Sequence, residues 1–341
     1  MRVLVVKTSS LGDVIHTLPA LTDAVKAIPG ICFDWVVEES FSEIPASHPG
    51  VDRVIPIAMR RWRKGWFKSW SGGEIRAFLR DLRKEKYDLI IDAQGLLFKS
   101  ALIATRAIGP RVGYDRTSAR DPWVTCTYDK SYAVSRTQHA IDRVRQLFAQ
   151  ALGYELLDEL PDFGFSQTDA VKTQSHRPYL VFLHATTWPT KHWPLAYWAE
   201  LIGLANKDGY EVMLPWGNGS EKECAEDLAA LSADAWVLPR MDLSALMKEF
   251  RGAAGVVGLD SGLSHLAAAL EVPSVSLYGP TRTDLTGVIG VRHQNLAADF
   301  SCAPCLQRLC SFKGEAQVSP ACFERLPPQH VWQVLMCQLG N

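Results

Sequence analysis

A loop that carries one carboxylate follows the first apolar strand of the chain. Residues 3–6 are a short valine-rich run, residues 9–13 are Ser-Ser-Leu-Gly-Asp, and a helical pattern begins at Val14. A carboxylate at the carboxyl end of a parallel strand lies where α/β enzymes bind their ligands, so Asp13 is a candidate catalytic residue. Ser and Asp also cap helices by accepting hydrogen bonds from first-turn N–H groups, and this segment alone favours capping.

A second strand–loop–helix junction of the same kind favours the catalytic interpretation over capping. Residues 258–265 again place a carboxylate, Asp260, between an apolar strand and a helix. Asp260 is suited to sugar hydroxyls, and the N–H groups beyond Ser261 and Gly262 are suited to a phosphate. The alternative is an ordinary cap with His265 packed in the first turn. A hydrolase nucleophile elbow is excluded, because that motif requires Ser where Asp260 stands.

The loop after the first predicted strand of the second half combines hydroxyls with an ammonium. Thr186, Thr187 and Lys191 precede Pro194, which is well placed as the first residue of a helix. Helix N-termini favour anions by about 0.3–1 kcal/mol, so this loop is a candidate diphosphate site, with a capped loop and a solvated lysine as the alternative. Glu221 follows the next strand, where it could hold ribose hydroxyls or simply favour the helix dipole.

Residues 60–70 form a basic and aromatic cluster of five cations and four aromatic rings. Arginine pairs bidentately with phosphate and carboxylate, and aromatic rings suit a lipid interface, so an anionic amphiphile fits both. A solvated loop with some buried tryptophans is the alternative. The totals of 36 basic and 37 acidic residues argue against nucleic acid as a partner. Arg120, His139 and Arg143 add cationic groups in the same half.

Four of the eight cysteines are bunched near the C terminus in the pattern C-x2-C-x4-C-x11-C. Four thiolates at this spacing are candidate structural ligands of zinc or iron. Free thiols are the alternative, because the spacing is looser than that of paired C-x-x-C motifs, and we expect no catalytic role. The four residues are Cys302, Cys305, Cys310 and Cys322.

Short apolar runs alternate with amphipathic segments along all 341 residues, which predicts an α/β protein with two doubly wound parallel sheets facing each other across a cleft. We place the domains at 1–170 and 171–341, with a polar linker at 158–176, and the C-terminal helix 329–339 is a candidate to pack back on the first domain. Neither a GxGxxG nor a P-loop motif is present, which disfavours a nicotinamide oxidoreductase.

Each half is predicted to contain five strands, followed by helices. The strands are expected near 2–7, 32–37, 53–57, 88–92, 111–114, 179–184, 210–214, 235–238, 254–258 and 274–278. The helices are expected near 14–27, 73–86, 97–107, 138–152, 194–206, 220–231, 242–250, 262–270 and 329–339. The chain has neither a signal-peptide pattern nor a run of eighteen apolar residues, so we expect a cytoplasmic protein.

At these residues the chain resembles the ADP-heptose:lipopolysaccharide heptosyltransferase family over most of its length. The resemblance is carried by residues 6–14 (VKTSSLGDV), 33–39 (FDWVVEE), 60–64 (RRWRK), 91–96 (IDAQGL), 184–187 (HATT), 191–194 (KHWP) and 262–265 (GLSH). It implies a GT-B fold, with two Rossmann-like domains of which the first binds the acceptor and the second binds ADP-heptose. It implies catalysis by Asp13 as general base, with Lys191 acting on the departing diphosphate.

The resemblance also implies the binding residues. The donor-binding set is Thr186, Thr187, Lys191, Glu221, Met241, Asp260, Ser261, Gly262 and His265. The acceptor-binding set is Ser10, Gly12, Arg60, Arg61, Arg63, Lys64, Arg120, His139 and Arg143.

The implied activity is transfer of L-glycero-D-manno-heptose, with inversion, from ADP-L-glycero-β-D-manno-heptose to Kdo of Kdo2-lipid A during lipopolysaccharide inner-core biosynthesis. Addition of the second heptose, or nucleotide-sugar binding without turnover, are the alternatives. The implied partners are the two substrates and, peripherally, the cytosolic face of the inner membrane; nucleic acid is not among them.

Because neither half contains a DxD-like diphosphate–metal motif, we predict that no catalytic cofactor is required. Turnover measured in excess chelator should match turnover in magnesium. Complete loss of activity in chelator with recovery on adding magnesium would contradict this expectation.

Overall fold

The computed structural model describes residues 1–65, 69, 72–165 and 177–340. The chain divides into two compact units, Met1–Ser166 (unit 1) and Gln167–Asn341 (unit 2). Residues 158–165 of the predicted linker have no regular secondary structure and are tied to unit 1, where Lys26 pairs with Asp162 at 2.8 Å. Residues 166–176 of that linker lie outside the described residues.

Unit 1 contains a six-stranded sheet in the order β3-β2-β1-β4-β5-β6, with every neighbouring pair parallel. The central strand β1 is fully buried from Val3 to Val6, because helices cover both faces of a parallel sheet. The strands are β1 Arg2–Val6, β2 Cys32–Glu38, β3 Val51–Ile57, β4 Leu89–Asp92, β5 Arg111–Tyr114 and β6 Lys130–Tyr132.

The helices of unit 1 pack their apolar sides onto this sheet. In the helix 74–82, for example, Ile75, Phe78 and Leu82 recur at helical spacing and are buried. The helices are α1 Leu11–Ile15, α2 Leu18–Ala27, α3 Glu43–Ala46, α4 Met59–Lys64, α5 Glu74–Leu82, α6 Leu102–Ala104 and α7 Ala140–Leu152.

Unit 2 repeats the same topology, with a parallel sheet in the order β12-β11-β10-β7-β8-β9. Its strands are β7 Tyr179–Leu183, β8 Glu211–Leu214, β9 Ala235–Val237, β10 Gly255–Leu259, β11 Ser274–Tyr278 and β12 His293–Ala297. Its helices are α8 Leu195–Lys207, α9 Gly219–Ala229, α10 Leu243–Gly252, α11 Gly262–Ala269, α12 Thr283–Thr286 and α13 Pro328–Leu339. The C-terminal helix α13 packs on α8 within unit 2.

In both sheets the strand order reverses direction at one point. In unit 1 the first strand β1 lies between β2 and β4, and in unit 2 the first strand β7 lies between β8 and β10. The chain connections therefore leave the sheet in opposite directions between β1 and β4 and between β7 and β10. Such switch points leave a crevice at the carboxyl ends of the strands, which is where ligands bind in open α/β sheets.

The structure corrects several predicted elements. Each sheet has six strands rather than five: β6 and β12 are polar strands at the sheet edges, and their sequences lack the apolar run that identified the others. The predicted helix 14–27 begins earlier and is broken into α1 and α2 at His16–Thr17, just before Pro19 in the first turn of α2. The predicted helix 97–107 begins as a π-helical turn, in which the Ala101 N–H donates to the Leu96 carbonyl at 3.1 Å.

A solvated loop is one of the two interpretations of the basic run at 60–64. In the structure this run lies in helix α4, and Trp62 is buried. Residues 66–68 and 70 of the basic and aromatic cluster lie outside the described residues. No helix within the described part of the chain has the length and apolar character that crossing a membrane requires.

Asp34 joins the first three strands of unit 1. Its buried carboxylate on β2 accepts from Arg2 on β1 at 3.0 Å, from Arg53 on β3 at 3.0 Å and from the Tyr87 hydroxyl at 2.9 Å. We expect Asp34→Ala to lower the free energy of unfolding by about 2–4 kcal/mol, because it leaves two guanidinium groups and a hydroxyl without their buried partner. Urea unfolding monitored by tryptophan fluorescence measures this.

Asp52→Ala is the matched control. Asp52 also pairs with Arg2, at 2.7 Å, but it is 53% exposed, so its removal should cost less than about 1 kcal/mol. Equal effects of the two substitutions would contradict the structural role assigned to Asp34.

Candidate functional site

The candidate catalytic residue Asp13 lies at the switch point of unit 1, in the first turn of α1. Its Oδ2 accepts hydrogen bonds from the Ser10 backbone N–H at 2.7 Å and from the Ser10 hydroxyl at 2.8 Å, and its Oδ1 is 3.6 Å from the Lys7 ammonium. The side chain of Asp13 is 46% exposed. The capping interpretation is therefore correct, and it leaves the carboxylate within reach of an incoming hydroxyl.

The charges around Asp13 keep it ionised. Burial would raise the pKa of this carboxyl, but the Lys7 ammonium, the hydrogen bonds from Ser10 and the nearby His16 lower the pKa from 3.8 to about 2. At neutral pH the group is a carboxylate, which is the form that accepts a proton.

The loop after β4 holds the loop that precedes Asp13. Gln94 accepts from the backbone N–H of Thr8 at 2.9 Å and from its hydroxyl at 2.7 Å, and it donates to the Ser9 carbonyl at 3.1 Å. The Lys7 ammonium donates to the Ala93 carbonyl at 3.0 Å, and the Lys99 ammonium donates to the Ser9 hydroxyl. These contacts fix the direction in which α1 leaves the sheet, and so the position of Asp13.

The Asp92 carboxylate holds the loop after β4 in place through hydrogen bonds. It is fully buried and accepts from the Gln94 and Gly95 N–H groups at 3.0 Å each, from the Ser100 hydroxyl at 2.9 Å and from the Tyr128 hydroxyl at 2.7 Å. Burial raises the pKa of Asp92 against these hydrogen bonds. Gly95 has a φ of +67°, a conformation that L side chains rarely adopt, so the turn around this carboxylate favours glycine.

The basic residues of α4 present their cations to solvent. Arg60, Arg61, Arg63 and Lys64 are exposed, while Arg61 pairs with Glu39 at 3.1 Å and with Glu74 at 2.6 Å. Arg60 also stacks over the Phe41 ring at 5.1 Å. The cations of α4 act electrostatically on Lys99. Burial lowers the pKa of the Lys99 ammonium. Glu38 and Asp13 raise this pKa, whereas Arg60 and Arg63 lower it further.

His139 and Arg143 lie at the start of α7. His139 caps the helix by accepting from the Ile141 N–H at 3.2 Å, and its ring contacts that of His16, edge to face, at 5.9 Å. Arg143 donates to the Ser118 carbonyl at 2.9 Å and lies 5.3 Å from the centre of the Tyr114 ring. Because His16 and Tyr114 both interact electrostatically with Asp13, the structure brings His139 and Arg143 to the same crevice. Arg120 is exposed on the loop before residue 122.

In unit 2 a lysine and a carboxylate meet at the equivalent switch point. Lys191, on the loop after β7, pairs with Asp260, directly after β10, at 2.6 Å. The same carboxylate oxygen accepts from the Thr281 hydroxyl at 2.6 Å, and the Thr186 hydroxyl donates to the Asp260 carbonyl at 3.3 Å. Lys191 also lies 4.8 Å from the centre of the Trp188 ring. The ammonium is thus oriented by the Asp260 carboxylate and the Trp188 ring, beside the first turn of α11.

The other predicted donor-binding residues surround this pair or line the neighbouring strand ends. Glu221, in the first turn of α9, accepts from the Gly217 N–H at 2.7 Å and from the Asn218 amide at 2.7 Å. Ser261 caps α11, Gly262 begins it, and His265 is buried in its first turn. Thr187 is exposed on the β7 loop, and Met241 is half-buried just before α10.

Sequence reasoning missed several residues that hold these groups in place. The sequence does mark their positions. Lys7 directly follows the buried strand β1, Asp92 is the last residue of the neighbouring strand β4, and Gln94 lies two residues beyond it. Thr281 follows β11, one strand further along the sheet. Their partners are set by tertiary contacts that no local pattern encodes.

The cysteine cluster does not form a metal centre in the structure. Among the described residues, no group of three or more His, Cys, Asp or Glu side chains is arranged to hold a metal ion. Cys302, Cys305, Cys310 and Cys322 are free thiols, of which Cys322 is buried, and burial raises the pKa of Cys322 to about 11. A buried protonated thiol behaves as a small apolar side chain, which is consistent with its packing in the core of unit 2.

Comparison with known proteins places this geometry in a family. The family model of glycosyltransferase family 9 (heptosyltransferase) matches residues 75–316. The chain belongs to this heptosyltransferase family. It is 52% identical to lipopolysaccharide heptosyltransferase 1 of Pseudomonas aeruginosa, over 97% of this chain and 96% of that protein. It is 26% identical to lipopolysaccharide heptosyltransferase 2 of Escherichia coli, over 84% of this chain and 85% of that protein. It is therefore a glycosyltransferase.

Solved structures of the family share the fold. E. coli heptosyltransferase WaaC with ADP superposes with a TM-score of 0.86 at 43% identity, covering 99% of this chain and all of that one. WaaC with ADP-2-deoxy-2-fluoro heptose superposes with a TM-score of 0.81 at 42% identity, covering 98% and 99%. The predicted fold class is confirmed: the chain is a GT-B heptosyltransferase with two Rossmann-like parallel sheets.

Replacing Lys7 with Met removes the ammonium beside Asp13 but keeps the aliphatic stem. We expect the pKa of Asp13 to rise from about 2 toward its ordinary 3.8, because the Coulombic attraction that lowers it is lost. Because the folded-state pKa lies below the ordinary value, ionised Asp13 stabilises the fold above about pH 4, and this contribution disappears as the pH falls through about 2. A carboxyl-carbon NMR titration measures the shift.

Lys26→Met is the control, since Lys26 pairs with Asp162 instead. An Asp13 pKa that is identical in Lys7→Met and in the wild type would show that Lys7 does not control the charge of this carboxyl.

Proposed function

We propose that this heptosyltransferase moves L-glycero-D-manno-heptose from ADP-L-glycero-β-D-manno-heptose to a Kdo hydroxyl of Kdo2-lipid A, with inversion at the anomeric carbon. The observation that carries the proposal is the half-exposed, ionised Asp13 at the switch point of unit 1. The similarity to relatives named lipopolysaccharide heptosyltransferase 1 supports addition of the first heptose, and the WaaC complexes support an ADP-heptose donor.

In the proposed mechanism Asp13 is the general base. The acceptor hydroxyl oxygen bonds to the anomeric carbon of the donor, the bond from that carbon to the diphosphate breaks, and Asp13 takes the hydroxyl proton. A carboxylate with a pKa near 2 is a weak base toward a free alcohol. Proton transfer therefore becomes favourable only once the attacking oxygen has begun to bond to carbon and has become acidic.

Lys191 stabilises the departing ADP in this mechanism. Negative charge grows on the diphosphate as the glycosidic bond breaks, and a preorganised ammonium at that position lowers the barrier. Asp260 pairs with the lysine, and the Thr281 hydroxyl donates to the same carboxylate oxygen. We assign Thr186 and Thr187, with Lys191, to the diphosphate. Glu221 and Met241 are assigned to the nucleoside, and the loop of Asp260, Ser261, Gly262 and His265 to the donor sugar and its phosphate.

The acceptor-binding set is assigned to unit 1. Kdo carries a carboxylate and lipid A carries phosphates, so the exposed cations of α4 together with Arg120 and Arg143 suit the acceptor by charge. We assign His139, beside Arg143, as a further acceptor contact. Ser10 and Gly12 lie beside Asp13, where the reacting hydroxyl would approach. A lipid-borne acceptor also supports peripheral association with the cytosolic face of the inner membrane.

The first test separates the base from the donor site. We expect Asp13→Asn to lower turnover by about 10²- to 10⁴-fold while leaving ADP affinity unchanged, because the amide keeps the shape of the carboxylate but does not accept the proton. Turnover is measured by release of ADP, and affinity by calorimetry with ADP. Asp162→Asn, in the same unit, is the control and should behave as the wild type. Wild-type turnover in Asp13→Asn would exclude Asp13 as the base.

The second test addresses the leaving group. We expect Lys191→Ala to weaken ADP binding by about 10- to 100-fold, because a charge-assisted hydrogen bond to phosphate is lost. Lys207→Ala, an exposed lysine at the end of α8, is the control and should bind ADP normally. Unchanged ADP affinity in Lys191→Ala would remove the lysine from the donor site.

A further inference from the structure

Three large apolar side chains are exposed on one part of unit 1. Phe98 is 80% exposed, Leu102 is 48% exposed and Trp123 is 62% exposed. Single exposed apolar residues are ordinary, but several on adjoining segments mark an interaction surface. We call Phe98, Leu102 and Trp123 the apolar patch.

The two segments that carry the apolar patch are joined in the structure. The turn Leu97–Ala101 contacts the 3₁₀ turn Pro122–Thr127. The Leu97 N–H donates to the Asp121 carboxylate at 3.4 Å, and the Asp121 N–H donates to the Gly95 carbonyl at 3.2 Å. Phe98 and Leu102 are four residues apart along a helical stretch and therefore lie on one face.

Positive charge borders the apolar patch. The guanidinium of Arg116 lies 5.2 Å from the centre of the Trp123 ring, and Arg120 is exposed on the same loop. Two carboxylates on the same loops accept hydrogen bonds from neighbouring hydroxyl and backbone N–H groups. Asp115 accepts hydrogen bonds from Thr117 and Ser118, and Asp121 accepts from the Trp123 and Leu97 N–H groups. Apolar side chains bordered by cations are complementary to a partner that has an apolar interior and negatively charged groups at its surface.

We propose that the apolar patch inserts into the headgroup region of an anionic lipid bilayer. Aromatic rings prefer the membrane–water interface, arginines are attracted to anionic headgroups, and both are present here on a rigid, hydrogen-bonded pair of turns. The inference rests on the proposed function in that a lipid-borne acceptor places the substrate at such a surface.

The apolar patch adjoins, in the sequence, a residue that contacts the loop leading to Asp13. Lys99, between Phe98 and Leu102, donates to the hydroxyl of Ser9 on the loop that leads to Asp13. One turn of chain therefore exposes apolar side chains to solvent and holds the candidate catalytic loop. Docking through the apolar patch brings the Asp13 crevice close to the headgroups, where a Kdo attached to lipid A would be found.

Vesicle co-sedimentation of the full chain tests the proposal. We expect the wild type to sediment with phosphatidylglycerol-rich vesicles and to be released by high salt, with little binding to phosphatidylcholine vesicles. The triple variant Phe98→Ser, Leu102→Ser and Trp123→Ser should lose about tenfold or more of this partitioning. The matched control replaces three other exposed apolar residues, Leu160, Val291 and Leu309, with Ser and should bind as the wild type.

Turnover on two acceptors separates the bilayer from the acceptor site. The triple variant should retain wild-type turnover on a water-soluble Kdo acceptor without acyl chains, and lose turnover on Kdo2-lipid A embedded in vesicles. Equal loss on both acceptors would place the apolar patch in the acceptor site and overturn the proposal. So would wild-type vesicle binding by the triple variant, or a wild-type dimer that the triple variant abolishes in the absence of lipid.

A measurement on the folded wild type avoids any effect of the triple substitution on folding. Lipids brominated near the headgroup should quench more tryptophan fluorescence in the wild type than in Trp123→Phe, and equal quenching would contradict insertion. Vesicle binding requires neither donor nor acceptor, so a protein that binds vesicles but transfers no heptose would refute the proposed function alone.

Discussion

The arrangement of the site depends on the reversal of strand order in each parallel sheet. Between β1 and β4, and again between β7 and β10, the chain connections diverge to opposite faces, so that two loops emerge side by side at the carboxyl ends of neighbouring strands. Asp13 and Gln94 occupy one such pair of loops, and Lys191 and Asp260 occupy the other. The side chains that could do chemistry are therefore gathered by backbone topology before any specific contact is made.

Both switch points contain a lysine–carboxylate pair, but the two pairs differ in ways that suit different tasks. In unit 2 the Lys191–Asp260 contact is 2.6 Å and both side chains are largely buried, so the carboxylate serves to hold the lysine. In unit 1 the Lys7–Asp13 contact is longer, at 3.6 Å, with the lysine buried and the carboxylate half-exposed. There the lysine holds the carboxylate in its ionised form and leaves it open to solvent.

The sequence predicts the repeated βα pattern well, because buried parallel strands are apolar runs and their helices carry regular apolar spacing. It also predicts the positions of Asp13, Lys191 and Asp260, since each follows such a strand. It does not predict the edge strands β6 and β12, whose residues are polar, or the break after α1, which depends on Thr17 and Pro19. The partners Lys7, Gln94 and Thr281 were missed because their roles arise from contacts between loops that are far apart in sequence. The cysteine spacing allowed a metal centre that the fold does not assemble within the described residues.

The most direct test of the account is mass spectrometry of the product formed from ADP-L-glycero-β-D-manno-heptose and Kdo2-lipid A. We expect one added heptose per acceptor with inverted anomeric configuration by NMR, and no addition to an acceptor that already carries the first heptose. Hydrolysis of the donor without transfer, a retained configuration, or transfer only to the heptosylated acceptor would contradict it.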